Sequence, residues 1–173
     1  VATRAAFTTA VASGTTTTDA SRDWTVKVDA SGLQPGTRYW YRFKVGTQTS
    51  PVGRARTLPV GAVSQVRLAV FSCAHYGAGY FNVYAAAAQR DDLDAALHLG
   101  DYLYEYGRDG YANEQAAALG RLALPATELL TLADYRQRHA QVRADADLQA
   151  LHAAVPMIAV WDDHEIANDT WRD

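Results

Sequence analysis

The sequence of 173 residues contains a single cysteine, Cys73, so an internal disulfide is excluded. Long apolar runs are also missing, because no stretch reaches the roughly 18 apolar residues that a transmembrane helix needs. Basic residues form no cluster and the net charge is -3, so the electrostatic footprint of a nucleic-acid-binding surface is absent. These three absences exclude a disulfide scaffold, a membrane-spanning protein and a basic nucleic-acid binder.

The sequence also has no charged segment followed by an apolar one, so no signal peptide is predicted within it. It begins at Val1, and Asp173 follows a motif-like segment directly. We therefore expect the chain to be the amino-terminal fragment of a longer protein. Apolar residues make up 49% and charged residues 20%, which predicts a folded globule.

The first part of the chain, residues 1–58, is rich in Thr, Ser, Val and Gly. Alternation predicts a strand over residues 25–29 and an aromatic-rich strand over 39–45, with a Pro-Gly turn at 32–37 between them. The pattern Leu-x-Pro-Gly-x-x-Tyr-x-Tyr resembles the tyrosine corner of fibronectin type III-like domains. We predict an incomplete β-sandwich here, followed by a linker at 59–65.

The second part, residues 66–173, alternates apolar strands with helices, which predicts an α/β domain with a mostly parallel sheet. Thr131 with Asp134 three residues later is close to a capping box, and Asp147 is expected to cap the last helix. Residues 105–130 show no clear period and are expected to run over the surface. The predicted strands are 66–71, 95–99 and 155–161, and the predicted helices are 81–90, 131–144 and 148–153.

Polar side chains follow each of the three apolar strands. In open α/β sheets, ligands bind beyond the carboxyl ends of the strands, so we expect these distant segments to converge. The first strand is followed by Cys73 and His75, the second by Asp101 and Tyr104, and the third by Asp162, Asp163 and His164.

Asp101 is the most informative of these residues. A carboxylate directly after a buried strand needs a cation or a set of hydrogen bonds. Its two oxygens could bridge two metals, and Tyr104 could return to the same site. Free tyrosine ionises only near pH ~10, so a tyrosinate ligand needs a strongly acidic metal such as ferric iron. Cys73 could supply a thiolate, which also suits iron.

Each residue also has a structural interpretation. Gly-Asp after a strand often caps a helix, Tyr104 alone is more often a packed aromatic, and Cys73 alone is most often a buried apolar residue. Glu105 is interpreted as a solvated neighbour, and His75 is ambiguous. The other histidines outside the motif blocks are interpreted as structural: His98, His139 and His152.

The segment 162–165 favours the functional interpretation. Metallophosphoesterases commonly carry Gly-Asp at one strand end and Gly-Asn-His-Glu/Asp at a later one, where the Asn binds a second metal and the His contacts the phosphate. Asp163 could replace that Asn as a hard oxygen donor suited to calcium or magnesium. His164 would stabilise charge on the phosphoryl oxygens or protonate the leaving group.

Together these segments resemble the alkaline phosphatase D (PhoD-like) family. The resemblance implies an α/β metallophosphoesterase-like domain behind a fibronectin type III-like domain, an exported protein, and an Fe³⁺ and Ca²⁺ centre that hydrolyses phosphate monoesters or diesters. Other divalent metals remain open. The matching segments are Ser72-Cys73, 79–84, 98–106, Tyr135-Arg136 and 161–165.

The resemblance also implies roles for individual residues. Cys73, Asp101 and Tyr104 would hold iron, and Asp101 would bridge to calcium. Asp163 matches the second-metal position, and Asn168 is a weaker candidate nearby. Asp101 and His164 are the predicted catalytic residues. Members of the family have further ligands after the segment that matches 161–165.

The predicted reaction is attack on phosphorus by a metal-activated hydroxide. Asp-x-x-Tyr also occurs in purple acid phosphatases, so a purple-acid-type or nucleotidase-type phosphoesterase is an alternative. A non-catalytic module that binds calcium or adheres to a partner is a second alternative. The predicted ligand is a phosphate ester, and the oligomeric state stays open.

Overall fold

The computed structural model describes residues 1–171, which form four short strands, then a larger unit of strands and helices. The first strands are β1 (Arg38–Tyr41), β2 (Lys44–Val45), β3 (Gln48–Thr49) and β4 (Gly53–Arg56). The second unit contains β5 (Leu68–Phe71), α1 (Asn82–Ala88), β6 (Ala95–His98), α2 (Leu132–Arg143), α3 (Ala146–Ala154) and β7 (Met157–Ala159). Short 3-10 turns lie at Ala20–Arg22 and Tyr76–Ala78.

The four amino-terminal strands form two antiparallel ladders, β1 with β4 and β2 with β3. The predicted strand at 25–29 is wrong: this segment pairs with no other, and Val28 is 53% exposed. Five alternating residues without a partner strand cannot satisfy a ladder of backbone hydrogen bonds. Tyr39 is buried and its hydroxyl accepts the backbone N–H of Gln34 at 2.9 Å, the kind of bond a tyrosine corner makes.

The larger unit is built on a parallel sheet in the order β5, β6, β7. Helices α1 and α3 lie against each other and share with the sheet one apolar core, which includes Tyr84, Leu148 and Leu151. Leu68, Val70 and Ile158 of the same sheet are about half exposed. The prediction of a mostly parallel α/β sheet is confirmed for these three strands.

The predicted helices are confirmed with small shifts of their ends. Helix α2 begins after Thr131, and Thr131 and Asp134 form a complete capping box. The cap of α3 is Asp145, not Asp147, because the Asp145 carboxylate accepts the N–H groups of Asp147 and Leu148. No helix of the described residues is long and apolar enough to cross a membrane.

The segment 105–130 has no helix or strand, as expected, but it does not simply run over the surface. Arg121 is buried and its guanidinium donates to the carbonyl of Tyr76 and to the carboxylate of Asp145, each at 2.7 Å. The same guanidinium lies 3.8 Å from the centre of the Tyr76 ring. This long segment, which has no hydrophobic period, is therefore fixed to the rest of the fold by side-chain contacts that no local sequence pattern reveals.

Polar contacts join the first strands to the larger unit. Arg54 pairs with Asp91 at 2.6 Å and Arg56 with Asp94 at 2.9 Å. Between these parts, residues 59–65 are exposed and have no regular secondary structure. The linker and the domain bounds around it stay predictions.

Candidate metal centre

The ends of β5 and β6 are held together by backbone hydrogen bonds just beyond the sheet. The N–H of Cys73 donates to the carbonyl of Gly100 at 3.2 Å, and the N–H of Ala74 donates to the carbonyl of Asp101 at 2.9 Å. The segment after β7 approaches the same place. Ligand-competent atoms of Asp101, Asp163 and His164 all lie within 4.8 Å of one another.

Asp101 is buried, with 6% of its surface exposed, at the centre of this group. One carboxylate oxygen accepts the hydroxyl of Tyr104 at 3.1 Å, while the other, Oδ1, has no hydrogen-bond partner among the described residues. A buried carboxylate oxygen without a partner is costly. A cation placed between Asp101 and Asp163 would satisfy it and offset the repulsion between two carboxylates.

Gly100 allows the β6 and β7 ends to approach each other. Its φ is +109°, and a Cβ built there would lie 2.4 Å from the backbone nitrogen of Asp162. No residue with a side chain fits without moving the segment after β7. The glycine before Asp101 therefore keeps Asp101 close to Asp163.

Tyr104 is buried beside Asp101. Burial, the charge of Asp101 and the thiol of Cys73 raise the pKa of its hydroxyl well above the ordinary value. Without a cation this hydroxyl stays protonated, and a strongly acidic metal would reverse that preference. Cys73 is not part of the group formed by Asp101, Asp163 and His164. It is exposed, with a φ of +56°, so the expectation of a buried apolar cysteine is wrong.

His164 lies against Tyr104, with the two ring centres 4.3 Å apart. Its Nδ1 is 2.8 Å from a carboxylate oxygen of Glu105, and its Nε2 has no hydrogen bond to the residues that the structure describes. Burial alone lowers the pKa of His164, but the hydrogen bond and charge of Glu105, with Asp101 and Asp163, raise it above the ordinary value.

Asp163 and Asn168 make different contacts near Asp101 and His164. Asp163 accepts the N–H of Asp169 at 2.6 Å, and this bond, the largest contribution, lowers the pKa of its carboxyl. Asn168 is exposed, and its side-chain amide donates to the carboxylate of Asp169 at 3.0 Å. In this conformation Asn168 contributes its backbone N–H, which donates to Glu105, and no side-chain contact to Asp101.

Two glutamates at this site were not predicted. Glu165 accepts the backbone N–H groups of Asp101 at 3.0 Å, Tyr102 at 2.5 Å and Asp162 at 2.7 Å. Glu105 is only 2% exposed, so its interpretation as a solvated neighbour is wrong. Each is the last acidic residue of one motif segment, but the sequence does not show which distant groups it bonds.

The remaining histidines have structural contacts. His98 is fully buried and its Nε2 shares a hydrogen bond with the Tyr84 hydroxyl at 3.0 Å, which confirms a core histidine. His152 bonds the Tyr102 hydroxyl at 2.9 Å, and burial lowers its pKa to about 4. His139 stacks on Tyr102, and the ring of His75 lies 4.5 Å from that of Tyr104.

Family comparisons match both parts of the chain. The family described as PhoD-like phosphatase matches residues 68–173, and the family described as PhoD-like phosphatase, N-terminal domain, matches residues 1–59. Alkaline phosphatase D of Bacillus subtilis (strain 168) is 46% identical over 162 residues, which are 92% of this chain and 27% of that protein.

A solved structure of PhoD has the same arrangement of the chain. The two superpose with a TM-score of 0.90 at 43% identity, over 97% of this chain and 32% of that one. The chain therefore spans about a third or less of the length of the relatives that it matches.

Proposed function

Because the chain belongs to the PhoD-like phosphatase family, we propose that its site is part of a metal centre that hydrolyses phosphate monoesters or diesters. The relatives extend well beyond the part matched here, so the proposal concerns the longest protein that contains this chain. The observation that carries it is the buried, unpartnered Oδ1 of Asp101 beside Asp163 and His164.

The donor set fits two kinds of cation. Thiol, phenol and carboxylate donors of Cys73, Tyr104 and Asp101 suit ferric iron. Carboxylate oxygens of Asp101 and Asp163 suit calcium, with the amide oxygen of Asn168 as a further donor if its side chain turns from Asp169. Asp101 belongs to both sets, as a bridging carboxylate would.

Bound metals would supply charge that draws in the phosphate and lowers the pKa of an attacking water. Asp101, whose Oδ1 has no hydrogen-bond partner among the described residues, would help to hold the cations. His164 contributes a ring nitrogen to the same group, and its Nε2, which Glu105 does not bond, would hydrogen bond a phosphoryl oxygen or transfer a proton to the leaving oxygen. Tyr104 packs on the imidazole and limits its rotation.

The amino-terminal region and the location are part of the same proposal. The bond from Tyr39 back to Gln34 supports a fibronectin type III-like region at residues 1–58. Export to the periplasm or the medium is proposed from the family resemblance. Antibody detection of the protein in culture fractions tests it, and a protein confined to the cytoplasm would contradict it.

The test compares Asp101→Asn with Asp109→Asn, an exposed aspartate in the neighbouring loop. Both variants, in the 173-residue chain and in the longest protein containing it, are assayed on p-nitrophenyl phosphate and bis-p-nitrophenyl phosphate. We expect Asp101→Asn to lower kcat/KM by about 10²–10³-fold and to reduce bound iron and calcium, because asparagine removes the negative charge of the carboxylate.

Asp109→Asn should match the parent protein. Survival of both turnover and metal content in Asp101→Asn would show that the site is misassigned. If both the 173-residue chain and the longest protein that contains it bind metal but do not hydrolyse the esters, the non-catalytic calcium-binding alternative would be favoured. A colourless, iron-replete sample would exclude Tyr104 as an iron ligand.

A further inference from the structure

The two motif segments are cross-linked by their glutamates. Glu165, in the segment after β7, accepts backbone N–H groups of Asp101 and Tyr102 in the segment after β6. Glu105, in the segment after β6, reaches in the opposite direction to His164 and Asn168. Each segment therefore carries a buried glutamate whose carboxylate forms hydrogen bonds with the other segment.

Glu105 makes two bonds of different kinds. One oxygen accepts the backbone N–H of Asn168 at 2.7 Å, and the other lies 2.8 Å from Nδ1 of His164. With Glu105 accepting at both oxygens, Nδ1 of His164 is the donor of the second bond, and this arrangement favours a proton on Nδ1. The ring is also held between Tyr104 and Tyr106, at centroid distances of 4.3 and 5.3 Å.

We infer that Glu105 is a positioning residue of the phosphoesterase site: it fixes the Nδ1–H form of His164 and so aims Nε2 at the phosphate. The inference rests on the proposed function and adds a residue to it. A neutral imidazole can carry its proton on either nitrogen, and the partner of one nitrogen decides the role of the other. A carboxylate behind a site histidine commonly fixes its tautomer and orientation.

The structure separates this role from simple packing. A packing role would need only the shape of Glu105, which glutamine keeps. A positioning role needs two acceptor oxygens at once, and glutamine has one. In Glu105→Gln, the amide oxygen can accept a hydrogen bond from Nδ1 of His164 or from the N–H of Asn168, but not from both. The NH₂ group of the amide then lies against the remaining donor.

The first measurement needs no variant. Nitrogen-15 spectra of the histidine rings are recorded for the metal-free 173-residue chain at about pH 9, and the signals of His164 are assigned by their loss in His164→Gln. We expect the Nδ1–H tautomer to dominate for His164. A dominant Nε2–H tautomer would overturn the inference, even if Glu105→Gln failed to fold.

The second measurement uses Glu105→Gln, with Glu114→Gln as the matched control because Glu114 is exposed. We expect Glu105→Gln to shift the His164 signals toward a mixture of tautomers and to lower kcat about 10–100-fold in the active protein, with a smaller change in KM. Glu114→Gln should change neither. In the His164→Gln background, adding Glu105→Gln should cost less than about threefold, because coupled residues are not additive.

Unchanged His164 signals in Glu105→Gln, or an unchanged kcat in an active protein, would overturn the inference. Failure of the proposed function gives a different result. Neither the 173-residue chain nor the longest protein that contains it would then hydrolyse the phosphate esters, while Glu105→Gln would still change the tautomer ratio of His164. That result would show that the phosphoesterase role is wrong and that Glu105 nevertheless sets the tautomer of His164.

Discussion

Residues 1–58 and residues 66–171 are stabilised in different ways. In the first region Ala2 and Tyr39 are the buried apolar residues, and the strands have two to four residues. In the second region eleven buried residues form one apolar core between a parallel sheet and three helices. The second region carries a hydrophobic driving force of its own, while the first depends on backbone ladders and polar contacts.

Arginine–aspartate pairs show the same contrast. Arg121 and Asp145 pair with side chains that are 7% and 9% exposed, whereas Arg56 and Asp94 pair with side chains that are 49% and 32% exposed. The same chemistry is therefore placed in a dry environment within the second region and at the solvent boundary where the two regions meet. Burial, and not the number of ion pairs, decides how much each contact matters.

Removing one partner from each pair tests this contrast and should give the largest effect. Arg121→Ala leaves Asp145 buried and uncompensated, so we expect the free energy of unfolding to fall by about 3–5 kcal/mol. Arg56→Ala removes a largely exposed partner and should cost about 0–1 kcal/mol. Urea unfolding followed by circular dichroism measures both, and equal losses would contradict the contrast.

Acid should act on the second region, because all five histidines of the sequence lie after residue 66. Burial lowers the pKa of His152 to about 4, so between about pH 6.5 and 4 the unfolded chain binds a proton that the folded chain does not. The free energy of unfolding should fall over this window by about 1–2 kcal/mol from His152, less than the full linkage value because the ring is partly exposed.

His152→Gln isolates that contribution, since glutamine can still bond the Tyr102 hydroxyl and does not titrate. Thermal unfolding of the variant at pH 6.5, 5 and 4 should show a flatter pH dependence than the parent chain. A pH dependence of equal slope in both proteins would show that His152 is not held neutral in the folded state.

A small effect, confined to the first region, is expected from loss of the bond between Tyr39 and Gln34. Tyr39→Phe leaves the N–H of Gln34 without its acceptor and should cost about 0.5–1.5 kcal/mol. Hydrogen exchange should quicken at Gln34 and along β1 and β4, with no change in the core of the second region. Faster exchange throughout the chain would mean that the two regions unfold as one unit.

Local patterns predicted most of the second region. The capping box at Thr131 and Asp134 and the three apolar strands follow from residues close in sequence. The meeting of Asp101 with His164 follows from the rule that ligands bind beyond the carboxyl ends of parallel strands. The isolated alternation at 25–29 failed because a strand needs a partner that five residues do not specify.

The supporting glutamates could not be predicted for a similar reason. Glu105 bonds residues 59 and 63 positions away, and Glu165 bonds residues at similar separations. Such contacts depend on how two strand ends lie side by side. The local bond from the N–H of Asp162 to Glu165 does not reveal the distant partners of Glu165. Residues that would contact a ligand can be predicted from the chemistry of their motif. Residues that position them can be recognised only from the folded structure.

Gly100 has a consequence for how such a sequence can diverge. Every substitution at this position adds a Cβ, which would meet Asp162 at 2.4 Å, and the φ of +109° disfavours any side chain. A mutation here is therefore expected to displace the segment after β7, and selection for the site would act against it. A residue without any functional group thus limits the variants open to the site, because it sets the gap across which the acidic residues face each other.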